Sequence, residues 1–427
     1  MNRRDFLYLG AAPLAATRRL GANERLTIAC MGCRGRAGSL IAGFAEMPDV
    51  DIATLIDVDA NQFGAAVQKV ESRKGRAPKT VGDFRRVLED KSIDAIVIGT
   101  PEHWHAIPAI LACQAGKHVY VEKPLGHNHR EGEAMLAAAR KYKRVMQVGI
   151  QSRSGPHFAQ ALEYIRSGGL GRVALAKAWE SARQRPVPRV PDSAPPAGVD
   201  YDMWLGPAPR RAFNPARFHS NWRWFFDYGS GDLGNDGVHR IDYARRGLEA
   251  AFQGMGKQLP EWPLSVAASG GKLYFDDAQE WPDTLFVTWD YPGALLTYEM
   301  RIWSPHPIDG EQEGAAVYGD NGWVLIGNRG WQAYGPKGEK LPARGESGDD
   351  DPAHKRNWVD TIRKGGTPNC DVAVGHVASS MVHFGNIAWR VNRKLQLDAM
   401  GRAFRADEEA NQKLARTYRA PWMLPKV

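Results

Sequence analysis

Four cysteines in 427 residues exclude a disulfide-stapled scaffold. The chain has no apolar run long enough to span a bilayer, no internal repeat and no long low-complexity tract. It also lacks any basic block interleaved with aromatics, which argues against a nucleic-acid partner. The formal net charge is +8, and the first 22 residues set Arg3, Arg4, Arg18 and Arg19 against a single acid, Asp5. The remaining excess is thin, and an anionic ligand such as a pyrophosphate explains it. With 43% hydrophobic and 24% charged residues, the chain has the composition of a soluble protein with two full cores. Cys30 and Cys33 are spaced C-x-x-C, but they flank Gly32 in a turn. They read as small packing residues; a redox or metal pair is the alternative.

The N-terminus, MNRRDFLYLGAAPLAATRRLGA, carries twin arginines, then Phe6-Leu7 and a short apolar run. It resembles a twin-arginine export signal. The expectation is a signal at residues 1–22 cut near Ala22, a periplasmic or otherwise exported location, and no stable membrane insertion. A cytoplasmic chain with a basic N-terminus is the alternative.

Thr100–Leu125, TPEHWHAIPAILACQAGKHVYVEKPL, organises the rest. Ile93–Gly99 is a short apolar run suited to a buried parallel strand. Ala106, Ile107, Ile110 and Leu111 follow a helical period that Gly116 closes. His118–Val121 is a second strand, and it delivers Glu122, Lys123 and Pro124 to a carboxyl edge, where open parallel sheets place ligands. Upstream, Leu26–Met31 is a strand followed by Gly32, Gly35 and Gly38, with a helix expected over Ser39–Met47. This is a dinucleotide loop with an irregularity, since Arg34 occupies the second glycine position of G-x-G-x-x-G. Asp51–Ile56 is the next strand, and Asp57 at its end can bond both ribose hydroxyls while repelling a 2′-phosphate, which favours NAD over NADP. With helices at 83–88 and 130–141 and a last strand at 145–149, a six-stranded parallel sheet is expected over 25–150.

Beyond Gln151 the pattern changes. A helix is expected at 157–167 and a strand at 173–181. A proline-rich surface loop over 186–209 precedes a dense aromatic region that includes Phe213, Phe218, Trp222, Trp224, Phe225, Phe226 and Tyr228. Gly231–Asp242 (GDLGNDGVHRID) opens a helix through Leu248. Alternating strands near 265–275, 284–291, 294–301, 314–319 and 322–327 imply an antiparallel sheet. The segment 336–351 reads as a polar loop, with helices at 353–364 and 374–394. His103 and His105 resemble a metal pair without a third ligand cluster, so no metal is expected.

Asp57, Thr100-Pro101 with His105, Glu122-Lys123-Pro124 and Gly231–Asp242, in this order, resemble the Gfo/Idh/MocA oxidoreductases. The late stretches GHVASSMVHFGNIAWR and YRAPW are similar to those of an exported, twin-arginine-signalled branch of that family. The resemblance implies an α/β Rossmann domain (parallel sheet) followed by an α+β domain, 151–427, with a large, mostly antiparallel sheet. It implies NAD as cofactor, held by Gly32, Arg34, Gly35, Arg36, Asp57, Thr100, Pro101, His105, Glu122 and Lys123. It implies that Lys123 sits beside the nicotinamide and a substrate hydroxyl and that His239 is the general acid/base. Asn235 stands where several relatives carry Asp. Asn cannot exchange a proton, so it would position a hydroxyl. Asp236 and Asp242 flank the histidine, and on a helix Asp236 at i and His239 at i+3 would share a face.

The chemistry expected is oxidation or reduction of a secondary hydroxyl on a sugar or glycoside, with NAD bound tightly and cycled without net oxidation. An NAD-dependent glycoside hydrolase or lyase working through a transient 3-keto sugar is the first alternative, and a non-catalytic sugar-binding module the second. The aromatic region is expected to face sugar, with a core role as the alternative. A homo-oligomer, dimer or tetramer, is expected. Sugar identity, oxidised carbon and stereochemistry are not written in the sequence.

Overall fold

A computed structural model describes residues 25–348 and 350–427. The expected signal at 1–22 lies outside the described residues. The first domain alternates β1 (Leu26–Met31), α1 (Gly35–Ala45), β2 (Val50–Ile56), α2 (Phe63–Lys74), β3 (Lys79–Val81), α3 (Arg85–Glu89), β4 (Ala95–Ile98), α4 (Ala106–Gln114), β5 (His118–Val121), α5 (His129–Lys141) and β6 (Met146–Val148). All six strands are parallel in the order β3-β2-β1-β4-β5-β6, and the direction of winding reverses between β1 and β4. Such a switch point leaves a crevice at the carboxyl ends of the strands. The central strands are sealed on both faces, and β4 is buried at every residue, as its unbroken Ala-Ile-Val-Ile requires.

The second domain runs through α6 (Pro156–Arg166), β7 (Val173–Ser181), α7 (Tyr201–Leu205), a π-wound turn (Leu233–Gly237) and α8 (Val238–Gly254). Then follow β8 (Ser265–Gly271), β9 (Thr284–Tyr291), β10 (Ala294–Arg301), β11 (Glu313–Gly319), β12 (Gly322–Gly327), β13 (Gly330–Tyr334) and β14 (Lys340–Glu346). The chain ends with α9 (Asp350–Lys364), α10 (Val372–Val391), β15 (Leu395–Gln396) and α11 (Glu408–Gln412). Nine strands form one sheet, β14-β13-β12-β11-β7-β10-β9-β8-β15. Only the β7–β10 pair is parallel. No helix among the described residues is long and apolar enough to cross a membrane.

Two expectations need correction. The polar loop at 336–351 holds β14, an edge strand whose residues alternate exposed and half-buried, so its hydrophobic signal is faint. The proline-rich loop contains α7, capped by Asp200 on the Met203 amide at 2.9 Å. The first domain also borrows from the second. Trp358 and Val359 of α9 pack into the core formed by Leu40, Phe44 and Tyr120, with the Trp358 ring 5.5 Å from Phe44. Gly43 permits this approach, since a Cβ there would meet Lys355 at 2.1 Å. At the C-terminus, Trp422 packs 4.9 Å from Trp104.

Candidate active site

The crevice at the switch point is lined by the glycine turn, Asp57, Thr100, Pro101, Glu122 and Lys123 from the first domain and by Trp204, His219, Trp222 and Asn235 from the second. Gly32 makes the sharp turn after β1 with φ +91°, and a Cβ there would press on Ala37 and the Gly99 carbonyl, each at 3.1 Å. Gly35, also at positive φ, opens α1 into free space. The first turn of α1 carries no acidic residue, so its unpaired N–H groups and dipole face the crevice uncompensated. Arg34 occupies the irregular glycine position and is exposed. Arg36 is committed elsewhere: its guanidinium donates to Glu122 at 2.7 Å and to Asp351 at 2.6 Å. It therefore fixes Glu122 and α9 to the loop.

Asp57 accepts from the backbone N–H of Cys33 at 2.8 Å and of Asp59 at 2.9 Å. Its carboxylate is thus oriented, with lone pairs left for a ribose, and burial pushes it above the ordinary carboxylate range. Glycine turn, bare helix terminus and oriented carboxylate fit the pyrophosphate and adenosine ribose of NAD. Cys30 and Cys33 are buried free thiols pushed up by burial, in keeping with the packing reading.

A segment of the second domain crosses the adenosine end of this crevice. The Ala60 N–H donates to the Gly198 carbonyl at 2.9 Å and the Asp200 N–H to that of Val58 at 2.8 Å. Asn61 Nδ2 donates to the Ala197 carbonyl at 2.9 Å. His219 Nε2 lies 2.8 Å from Asp59 Oδ2. The nucleotide crevice is therefore spanned by two domains.

Its inner end holds the Glu-Lys-Pro tripeptide. Lys123 Nζ donates to the Asn235 backbone carbonyl, and to Asn235 Oδ1 at 3.2 Å. Asn235 Nδ2 donates to Asp232 Oδ1 at 3.1 Å and Asp236 Oδ2 at 2.8 Å. Lys123 of the first domain thus meets the second domain at Asn235. His239, four residues after Asn235 in the first turn of α8, is buried and does not line the crevice. Burial, with Lys123, Arg240 and Arg36 nearby, holds its imidazole well below the ordinary histidine range, hence neutral.

Other expected positions fall differently. Asp236 does not orient His239; it bonds Asn235, because residues 233–237 wind as a π turn and shift the i, i+3 alignment. Asp242 is a buried structural anion, gripped by both arms of Arg153 at 2.8 and 2.6 Å, away from the crevice. His105 lies beneath the crevice, its ring nitrogens 2.8 Å from the Pro124 carbonyl and 3.0 Å from that of Thr100. It braces the two strand ends that carry the lining. Most of the aromatic region is core: Phe213, Trp224, Phe225 and Tyr228 are buried, while Trp222 reaches the crevice.

His219 escaped the sequence reading, and so did Glu102. Glu102, buried at 1% exposure, borders the crevice and accepts from Ser230 Oγ at 2.7 Å. Burial raises its pKa to about 7, against bonds from Ser230 and the charge of Lys123. Its only sequence signal is a carboxylate directly after Thr100-Pro101.

Fold and crevice define a two-domain dinucleotide-binding oxidoreductase architecture. The NAD-binding Rossmann-fold model of the Gfo/Idh/MocA oxidoreductase family matches residues 26–150, and that family's C-terminal alpha/beta model matches 178–250 and 320–424. The chain belongs to this family, and NAD is its cofactor. Levoglucosan dehydrogenase of Pseudarthrobacter phenanthrenivorans is 31% identical over 196 residues, 45% of this chain and 42% of that protein. A glycosyl hydrolase family 109 protein of Stenotrophomonas maltophilia is 32% identical over 137 residues, 30% of each chain. The matched stretches span less than half of these curated relatives. Among solved structures, the aldose-aldose oxidoreductase of Caulobacter crescentus superposes with TM-score 0.65 at 21% identity, covering 87% of this chain and 100% of that one. The WlbA dehydrogenase of Bordetella pertussis, solved with NADH and UDP-GlcNAcA, gives 0.64 at 18% identity, over 88% and 99%. These two show the shared fold.

Proposed function

We propose that the protein is an exported NAD-dependent oxidoreductase acting on a secondary hydroxyl of a sugar or glycoside, with NAD retained through a redox-neutral cycle. The observation that carries the reading is the contact of Lys123 with Asn235 at the inner end of a dinucleotide crevice. A hydroxyl placed there meets an ammonium and an amide locked by two carboxylates, with the neutral imidazole of His239 close enough to Lys123 to feel its charge. Oxidation removes a proton from oxygen and a hydride from carbon. Lys123 stabilises the developing alkoxide in a cleft with little water. His239, neutral, takes the proton. Asn235, which cannot titrate, orients the hydroxyl. Bound NAD supplies the hydride acceptor and, on the return step, the donor. Trp222 offers a flat apolar wall to sugar C–H groups.

Retention is supported by the second-domain segment bonded across the adenosine end. An exported enzyme meets little free NAD, so turnover must return the hydride to a second carbonyl or to the same sugar. The relatives carry the names levoglucosan dehydrogenase and glycosyl hydrolase family 109 protein, in keeping with either a dehydrogenase or a hydrolase outcome.

The test has two stages. Ligand released by heat from purified protein is identified by mass, and the protein is then incubated with aryl glycosides without an added acceptor. NAD in the released fraction, with keto-sugar appearing only when a carbonyl acceptor is supplied, supports the oxidoreductase. Phenol released without acceptor assigns the hydrolase outcome. Protein that emerges empty and binds NAD weakly and reversibly refutes retention.

A further inference from the structure

Beside the crevice, outside its lining, three carboxylates converge: Glu180 near the end of β7, with Asp232 and Asp236 around the π turn, their oxygens within 4.8 Å of one another. In the parallel β7–β10 pair, Tyr298 stands opposite Ala178 and Met300 opposite Glu180. Tyr298 and Glu180 therefore share a face of the sheet. The π turn lies over that face, since a Cβ on Gly237 would sit 2.7 Å from the Tyr298 hydroxyl and 3.4 Å from the Asp232 carbonyl.

Tyr298 is 1% exposed, and its hydroxyl has no hydrogen-bond partner among the described residues. Glu180 Oε2 and Asp232 Oδ2 likewise have no donor among the described residues, and the two carboxyls lie close enough to interact with each other. The other Asp232 oxygen and one of Asp236 share the single amide of Asn235. Of the cations nearby, Arg240 pairs with Glu313 at 2.8 Å, Lys123 holds Asn235, and Arg223 acts on Asp232 without an ion pair to it. Anions buried together without a paired counter-charge are costly.

We propose that Glu180, Asp232 and Asp236 bind a hard divalent cation, Mg²⁺, Mn²⁺ or Ca²⁺, beneath the π turn, with the Tyr298 hydroxyl facing it. The donors are all oxygen, which selects hard cations over zinc or copper. Each carboxylate engaged by Asn235 keeps a second oxygen for the metal. The ion neutralises the cluster and pins the π turn, and through it the Asn235 carbonyl that Lys123 holds. Its role is to position the site, so the proposal stands apart from the substrate assignment.

The test uses the full chain, stripped with a chelator and titrated with Mn²⁺ by calorimetry and electron paramagnetic resonance, with a thermal melt at each stage. Wild type is expected to bind one Mn²⁺ per chain and to melt higher with it. Glu180→Gln is expected to bind roughly a hundredfold more weakly or not at all while binding NAD as wild type does. Should Glu180→Gln fail to fold, Asp236→Asn, at a half-buried position, gives the same comparison. Absence of Mn²⁺, Mg²⁺ and Ca²⁺ binding by wild type at millimolar concentration overturns the site, the carboxylates then sharing protons. Variants that bind Mn²⁺ as tightly as wild type also overturn it.

Discussion

His219→Ala isolates the clamp over the nucleotide. The imidazole is contributed by the second domain and meets Asp59 Oδ2 at 2.8 Å. Burial holds it below the ordinary histidine range, so at neutral pH it is an uncharged donor to a carboxylate. Burial raises the Asp59 carboxyl, but bonds from Gln62, Asn61 and His219 outweigh this and hold it low. Removing His219 leaves those of Asn61 and Gln62 in place, so Asp59 is not stranded. The loss is therefore the lower end of a charge-assisted hydrogen bond, about 1.5 kcal/mol. If the clamp must open for NAD to leave, release accelerates about tenfold. Chasing bound NAD with a labelled excess reads the rate directly. Release at the wild-type rate from a folded variant would refute the claim that this contact retains the cofactor.

Further tests address the chemistry and the frame. Lys123→Ala and His239→Ala are each expected to lower kcat/KM roughly a hundredfold or more, with NAD still bound; near-wild-type rates in both refute the site assignment. Glu102 ionises at about 7, and its charge acts on Lys123. Wild-type kcat/KM should show an inflection there that Glu102→Gln abolishes. The raised pKa also means that the folded state binds the proton more tightly than the unfolded one. Glu102 therefore favours folding at low pH, and this contribution falls as pH rises from the unfolded value of about 4.5 through the folded one. Denaturant melts of Glu102→Gln should lack that component. Arg153→Met strands Asp242 in the core and should cost about 3–5 kcal/mol; a loss of activity at unchanged stability would instead restore Asp242 to a substrate role.

The first domain was legible because its signals are local. Ala95–Ile98 and Val119–Val121 are apolar runs, Gly32 is demanded by a positive φ, and the Glu-Lys-Pro tripeptide falls where the sheet ends. The misses are tertiary. Ser230 presses on Gly234, and Tyr298 lies beneath Gly237, so GDLGNDG can wind as a π turn where helical spacing put Asp236 beside His239. The aromatic region carries turn residues that imitate a loop, yet the rings of Trp204, Phe218 and Tyr228 pack on one another. Glu102 carries no periodic signal at all; only burial against Ser230 sets it apart. Likewise, the pairing of Arg153 with Asp242 spans 89 residues and leaves no local trace.

The central claim is that Lys123, held on Asn235 at the end of an NAD crevice, promotes oxidation of a substrate hydroxyl. The most direct measurement is single-turnover absorbance of NAD-loaded protein in the near-ultraviolet band of reduced nicotinamide, on mixing with a panel of sugars and glycosides. The account predicts a rise with at least one of them in wild type and a rise slowed roughly a hundredfold in Lys123→Ala. A rise of equal rate in both proteins, or none across the panel in protein shown to hold oxidised NAD, would contradict it.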